Sequence, residues 1–190
     1  MRRGHGAVGW LATIGIVLGL SPVARAGAHP HDRNGFVIGF GVGGGSMGIE
    51  DADEREGSVI GNFRIGYAVR PDLVLQFEGS GWTKTFEDPV GDLTWTFSAG
   101  TAALTWFPGN VGGWLRGGVG GGTASVELET GGFRITDDES GFAVLAGAGY
   151  EWRLTRMFAL GPHAEFFWMD LDEVGSADMF GGALDFNWYW

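Results

Sequence analysis

Cysteine is absent from the 190-residue chain. That excludes disulfides, thiolate metal sites and a lipid-modified N-terminal cysteine. Basic residues are scarce, 12 Lys and Arg against 23 Asp and Glu, for a net charge of −11. A chain so acidic does not bind nucleic acid through its phosphates. Beyond the N-terminal region only one histidine remains, His163. Long apolar runs are missing too. The one candidate covers residues 8–20, short of the ~20 residues that a spanning helix needs. No later segment is apolar enough for a membrane helix. Helical periodicity is nowhere sustained, which predicts essentially no helix after the start of the chain.

Arg2 and Arg3 precede that apolar run, and Ala24-Arg25-Ala26 follows it with a small-x-small pattern. Residues 1–26 therefore read as a secretory signal, with the mature chain beginning at Gly27. The residues expected around a twin-arginine pair are missing. Cleavage removes Arg2, Arg3 and Arg25 and no acid, leaving 9 bases against 23 acids, a net of −14. Residues 27–35 form a short N-terminal segment and 36–190 one domain.

What is abundant is glycine (37) together with aromatics (14 Phe, 9 Trp, 3 Tyr). Disordered chains lack large residues to bury, and here they alternate with small or polar ones. The chain ends Phe-Gly-Gly-Ala-Leu-Asp-Phe-Asn-Trp-Tyr-Trp. Phe180, Leu184, Phe186, Trp188 and Trp190 share one face; Gly181, Ala183, Asp185, Asn187 and Tyr189 share the other. A free terminus frays unless it is tied down. A bilayer on the first face and a polar lumen on the second account for both.

Seven further runs precede it, near 36–46, 58–69, 73–82, 93–107, 114–126, 141–152 and 157–169. Short connections at 70–72, 107–113 and 153–156 alternate with longer acidic ones near 50–57, 83–92, 127–140 and 170–178. Short turns on one rim and long loops on the other suit an eight-stranded antiparallel up-and-down transmembrane β-barrel, an all-β fold. In the run at 93–107, Trp95 and Phe97 read as the lipid face, opposed to Thr94, Thr96 and Ser98. Trp82, Trp95, Trp106, Trp114, Trp152, Trp168 and Trp188 fall near strand ends and read as interfacial girdles. Pro162 cannot donate to a ladder, so a bulge or a late strand start is expected there.

An eight-stranded barrel is just wide enough to be filled by its own side chains. The inward candidates are Arg64, Gln76, Glu78, Arg116, Glu151, His163, Glu165, Asp185 and Asn187. Buried alone, each charge is costly; together they form a polar network filling the lumen.

The stretch Gly-Phe-Ala-Val-Leu-Ala-Gly-Ala-Gly-Tyr-Glu-Trp-Arg-Leu-Thr-Arg-Met-Phe-Ala-Leu at 141–160 resembles the eight-stranded outer-membrane β-barrel family, the type of outer membrane proteins A, X and W. A glycine-rich strand ends in an aromatic, turns, and resumes on apolar residues. The closing strand is similar to the signal read by the barrel-assembly machinery, carried by Phe186, Trp188 and Trp190, with Trp190 where the family usually has Phe. The resemblance implies the bacterial outer membrane. It implies as partners outer-membrane lipids, lipopolysaccharide and the assembly machinery, and it implies a monomer. The family includes adhesins, structural anchors, channels for small apolar solutes and a few lipid-modifying enzymes.

Other chemistry finds little support. Gly43-x-Gly45-x-x-Gly48 matches a dinucleotide fingerprint, but no helix follows and acids come next. Asp51, Asp53, Glu54 and Glu56 begin like a calcium loop, with Arg55 where an oxygen ligand is needed. Asp137-Asp138-Glu139 and Asp170-x-Asp172-Glu173 read as solvated acids. A lipid A deacylase of this fold carries a serine two residues after its histidine; here that position holds Glu165. No catalytic residue, metal or cofactor is assigned. Two readings stand: a non-enzymatic structural or surface-interaction barrel with acidic outer loops, and a narrow channel for small solutes.

Overall fold

The computed structural model describes residues 33–49, 55–88, 91–130, 133–171 and 175–190. The signal read at 1–26 lies outside them, as do residues 27–32. Nine strands run in chain order: β1 (Gly35–Ile49), β2 (Glu56–Arg70), β3 (Leu73–Asp88), β4 (Gly91–Trp106), β5 (Gly113–Thr130), β6 (Phe133–Tyr150), β7 (Trp152–Arg153), β8 (Phe158–Leu171) and β9 (Gly175–Tyr189). The pair β7 continues β6 beyond Glu151, so the staves number eight. All pairings are antiparallel between sequence neighbours, and β1 closes on β9 with Gly41 opposite Asp185. The result is a closed eight-stranded antiparallel barrel, with a single 3-10 turn at Pro108–Asn110 as the only helical element among the described residues.

Period-two alternation separates the two faces. Phe36, Phe63, Ile65, Phe77, Leu115, Val119 and Phe180 point outward and are exposed, while Arg64, Glu78, Arg116, Glu165 and Asp185 point inward and are buried. A soluble barrel would reverse this order, since apolar burial is the main favourable term in water.

Several strands outrun their sequence limits. The described residues of the connections expected at 83–92 and 127–140 are strand: β3 pairs with β4 up to Asp88 opposite Gly91, and β5 with β6 up to Thr130 opposite Phe133. Threonines, Phe86, Phe133 and Ile135 alternate there and suit a pleated surface. Thr83 meets Thr96 at 3.2 Å and Thr85 meets Thr94 at 3.0 Å across the ladder. The 16 residues of β4, at about 3.3 Å each and tilted ~40°, rise about 40 Å, against an apolar band of ~25 Å. These strands therefore leave the hydrocarbon and continue in water.

That length corrects the face assigned in the fourth run. Phe97 is buried inside and Trp95 packs against the same interior cluster. Below this level β4 turns polar residues inward, Thr101 and Thr105, and Leu104 and Trp106 outward. The phase of the alternation is constant, but its chemistry swaps where the outer solvent changes from lipid to water. Three of the seven girdle candidates fall with it: Trp82 and Trp114 are buried in the lumen and Trp95 faces inward. Trp106, Trp152 and Trp168 face outward and are exposed, and Trp188 stacks on Phe40 and packs at a tilt against Phe158.

Pro162 causes neither a bulge nor a late start. It sits within β8 opposite Leu184. On its other side the ladder stops at Gly149 opposite His163 and resumes in the same register at Trp152 opposite Leu160. Without an amide hydrogen, Pro162 leaves a gap rather than a shift. The Glu151 amide turns away to the Gly112 carbonyl at 2.9 Å.

Candidate functional site

Among the described residues the lumen is where charge is gathered and buried, and it is packed in three layers. The upper layer, toward the projecting strands, is apolar: Met47, Ile60, Trp82, Phe97, Leu145, Phe167, Met169 and Met179 pack together. Trp82 lies edge-on to Phe97 with centroids 5.9 Å apart. The interior at this level is an apolar core rather than a polar channel.

The middle layer is ionic. Arg64 donates from both terminal nitrogens to the Asp185 carboxylate, at 2.7 and 2.5 Å, and also to Asn62 Oδ1 at 2.6 Å. A forked guanidinium matches a carboxylate in this way. Strand register sets Arg64 opposite Glu78, and Glu78 accepts from Arg116 at 2.9 Å and Gln76 at 2.9 Å. Arg116 also donates to Thr105 Oγ1 at 3.1 Å and its guanidinium lies over the Trp114 ring. His163 stands between carboxylates, Nδ1 2.8 Å from Asp185 and Nε2 3.1 Å from Glu165. Two arginines and a histidine thus face Glu78, Glu165 and Asp185. A charge in this interior is tolerated only when paired and hydrogen-bonded.

The lower layer closes the short-turn rim. Val37, Val74, Phe107, Trp114 and Tyr189 form a second apolar cluster. Glu151 accepts from Tyr189 Oη at 2.7 Å and from Arg33 Nε at 2.7 Å, with Asn187 Nδ2 at 3.5 Å. Arg153 lies over the Tyr189 ring and donates to the Arg156 carbonyl.

The structure places all nine inward candidates in the lumen. It divides them into a middle group (Arg64, Gln76, Glu78, Arg116, His163, Glu165, Asp185) and a lower pair, Glu151 and Asn187. Asn62 and Tyr189 belong with them and share the phase of Arg64 and Asp185 on β2 and β9, so periodicity could have found them; Thr105 also belongs, but it shares the phase of Trp95 and Phe97 on β4 and was hidden by the face assigned to that run. Arg33 has no such signal, because it precedes the first strand. A cavity of about 10 Å³ lies between the middle and lower layers, lined by Arg64, Gln76, Arg116, Glu151 and Tyr189 among others. That is room for about one water molecule.

Among the described residues no cluster of three His, Asp or Glu is arranged to hold a metal ion. Asp137 and Asp138 point to opposite faces of β6, while Asp51, Asp53, Glu54, Asp172 and Glu173 lie outside the described residues. Gly43, Gly45 and Gly48 lie within β1, with no helix to receive a phosphate. Phe186 and Trp188 sit in β9, and Trp190 follows it with its amide bonded to the Phe36 carbonyl at 2.9 Å.

No protein-family model and no curated protein matches the sequence. Solved structures do match the fold. The attachment invasion locus protein Ail of Yersinia pestis, in complex with the heparin analogue sucrose octasulfate, aligns with a TM-score of 0.61 at 15% identity. The match covers 82% of this chain and 99% of that one. Neisserial surface protein A aligns with a TM-score of 0.61 at 10% identity, over 82% and 97%. With apolar residues outside, charges paired inside and eight staves closed in sequence order, the chain has the fold of the small outer-membrane β-barrels.

Proposed function

We propose that the protein is a non-enzymatic barrel of the bacterial outer membrane. It acts as a structural and surface-interaction element and does not conduct. The observation that carries this is the filled lumen: an apolar plug, an ionic layer and a capped lower rim lie in series along the axis. The outer surface is solvated by outer-membrane lipids and lipopolysaccharide, and the chain works as a monomer. The closing residues Phe186, Trp188 and Trp190 present the assembly machinery with an aromatic edge.

A channel would have to displace the Trp82–Phe97 pair and the Arg64–Asp185 fork together. Planar-bilayer recording tests this: no steady single-channel current is expected, and large steady currents would overturn the reading. A lipid A hydrolase is disfavoured because His163 is sealed inside, between two carboxylates. The Ail structure holds a polyanion analogue, but the net charge of −11 here disfavours polyanions and favours cationic partners. Fractionation tests the location, with recovery in detergent-extracted outer membranes expected and release of soluble protein contrary to it.

A further inference from the structure

On the outer wall, the side chains of β2 to β5 stand in rows that run across the staves. Register aligns Ile65, Phe77, Ala102 and Val119 in one row. The next row toward the short turns holds Tyr67, Leu75, Leu104 and Gly117. Between the rows lies an apolar groove of about 770 Å³, with Gly66 and Gly118 among the residues of its floor. Phe36 closes it at the β1 end, edge-on to Tyr67 with ring centroids 5.3 Å apart. Rows two residues apart are separated by about 6.6 Å, and three strand spacings span about 14 Å. Carbon atoms rest ~3.5–4.0 Å from one another, so the groove is one methylene chain wide. A helix, about 10 Å across, does not fit. A second barrel is convex, and would touch the groove at a point rather than along its length.

Position sets the leaflet. Trp106 follows Leu104 by two residues, faces outward and is exposed, which marks the interface beside the short turns. The groove therefore begins just inside the hydrocarbon on the short-turn side, the periplasmic side of an outer-membrane barrel. Below its β2 end stands Arg70, largely exposed and paired with Asp72. That pairing uses Nε and Nη2, which leaves Nη1 for a further acceptor.

We propose that the groove holds one acyl chain of a zwitterionic phospholipid of the periplasmic leaflet, with the headgroup phosphate at Arg70 and the headgroup ammonium at Asp72. A guanidinium matches phosphate oxygens, and the adjoining carboxylate disfavours a purely anionic head. Lipid tails are as apolar as the groove, so no hydrophobic gain draws the chain in. Close packing against Leu75 and Phe77 does, together with the headgroup pairing. The site thus selects among lipids rather than binding any one of them very tightly. The proposal deepens the reading of the outer wall as lipid-solvated and rests on it.

Gly117 and Gly79 share the outward phase, and a Cβ at either meets nothing within 4 Å, but of the two only Gly117 lines the groove. Gly117→Trp therefore fills the groove while sparing the wall, and Gly79→Trp is its control. The mature chain, refolded in detergent micelles, is titrated with dipalmitoyl phosphatidylethanolamine and read by native mass spectrometry. A saturable one-to-one adduct is expected. It should persist in Gly79→Trp, weaken about tenfold in Gly117→Trp and weaken by a smaller factor in Arg70→Ala. Dipalmitoyl phosphatidylglycerol should bind less well, and phosphoethanolamine without chains should not bind. Heat-modifiable gel mobility confirms that each variant is folded. An undiminished adduct in Gly117→Trp, equal binding of the glycerol-headed lipid, or protein dimers in place of lipid adducts would overturn the proposal. Absence of the adduct with protein still found in outer membranes sinks the groove alone; soluble protein on fractionation sinks the lipid-solvated wall.

Discussion

Arg33 Nε donates to Glu151 Oε1 across 2.7 Å, tying a residue that precedes the first strand to the break between β6 and β7. The same guanidinium reaches Asn110 Oδ1 at 3.0 Å, the Val111 carbonyl at 2.8 Å and the Pro71 carbonyl at 3.4 Å, and lies over the Phe107 ring. One side chain therefore joins two short connections of the lower rim to the break between β6 and β7. Its five donors in a rigid fork suit this task, and a lysine cannot replace them.

Arg33→Ala should destabilise the barrel by about 3–5 kcal/mol, because it leaves Glu151 buried without its cation. Urea unfolding of protein refolded into lipid vesicles measures this. Arg33→Ala combined with Glu151→Gln should cost less than the sum of the single changes. A loss within ~0.5 kcal/mol for Arg33→Ala, the range of ordinary surface changes, would show that the rim holds without it.

Trp82→Ala and Phe97→Ala remove the centre of the upper layer and should each cost about 3–5 kcal/mol by cavity formation. Neither should produce a steady conductance, since the ionic middle layer remains below. Steady current from either variant would show that the apolar plug alone closes the lumen.

A methyl group on Gly161 would fall 1.7 Å from the Tyr150 backbone carbonyl oxygen, whereas on Gly79 it would meet nothing within 4 Å. Gly161→Ala should therefore be strongly destabilising, and Gly79→Ala should change stability by no more than ~0.5 kcal/mol. Equal effects on unfolding midpoints would contradict the close approach at the Pro162 gap.

Tryptophans divide by face. In vesicles of brominated phospholipid, single-tryptophan variants retaining Trp152 should be quenched, and those retaining Trp82 should keep their emission. Comparable quenching of both would mean that Trp82 also meets lipid.

Outside the membrane, the Arg70 guanidinium donates to Asp72 at 2.9 and 2.5 Å and holds its carboxyl below the usual range. Whatever stability this pair adds is present above the unfolded-state value and fades as pH falls through the folded one. Carboxyl NMR should show Asp72 titrating low and rising in Arg70→Ala. An unmoved midpoint would assign the shift elsewhere.

Much of the wall was legible because a strand between two solvents must alternate. Asp185 and Asn187, set between Leu184, Phe186 and Trp188, could only face inward. Arg64 and Glu78 were recognisable as lumen residues for the same reason, but not as direct neighbours, since register depends on which residues meet across two strands. Trp95 and Phe97 were misread because periodicity gives the phase of alternation without saying which side is wet. Thr83, Thr85 and the acids near them looked like loop because the expected strand length was set by the membrane.

The sequence alone determined a closed β wall with small and polar groups on one side and large apolar ones on the other, because no other arrangement satisfies both at period two. The tertiary structure decided where that wall leaves the hydrocarbon, which carboxylate each arginine faces, and that Arg33 returns to seal the lower rim. Those are long-range matters, fixed by strand pairing and burial between residues far apart in the chain, and local pattern carries no record of them.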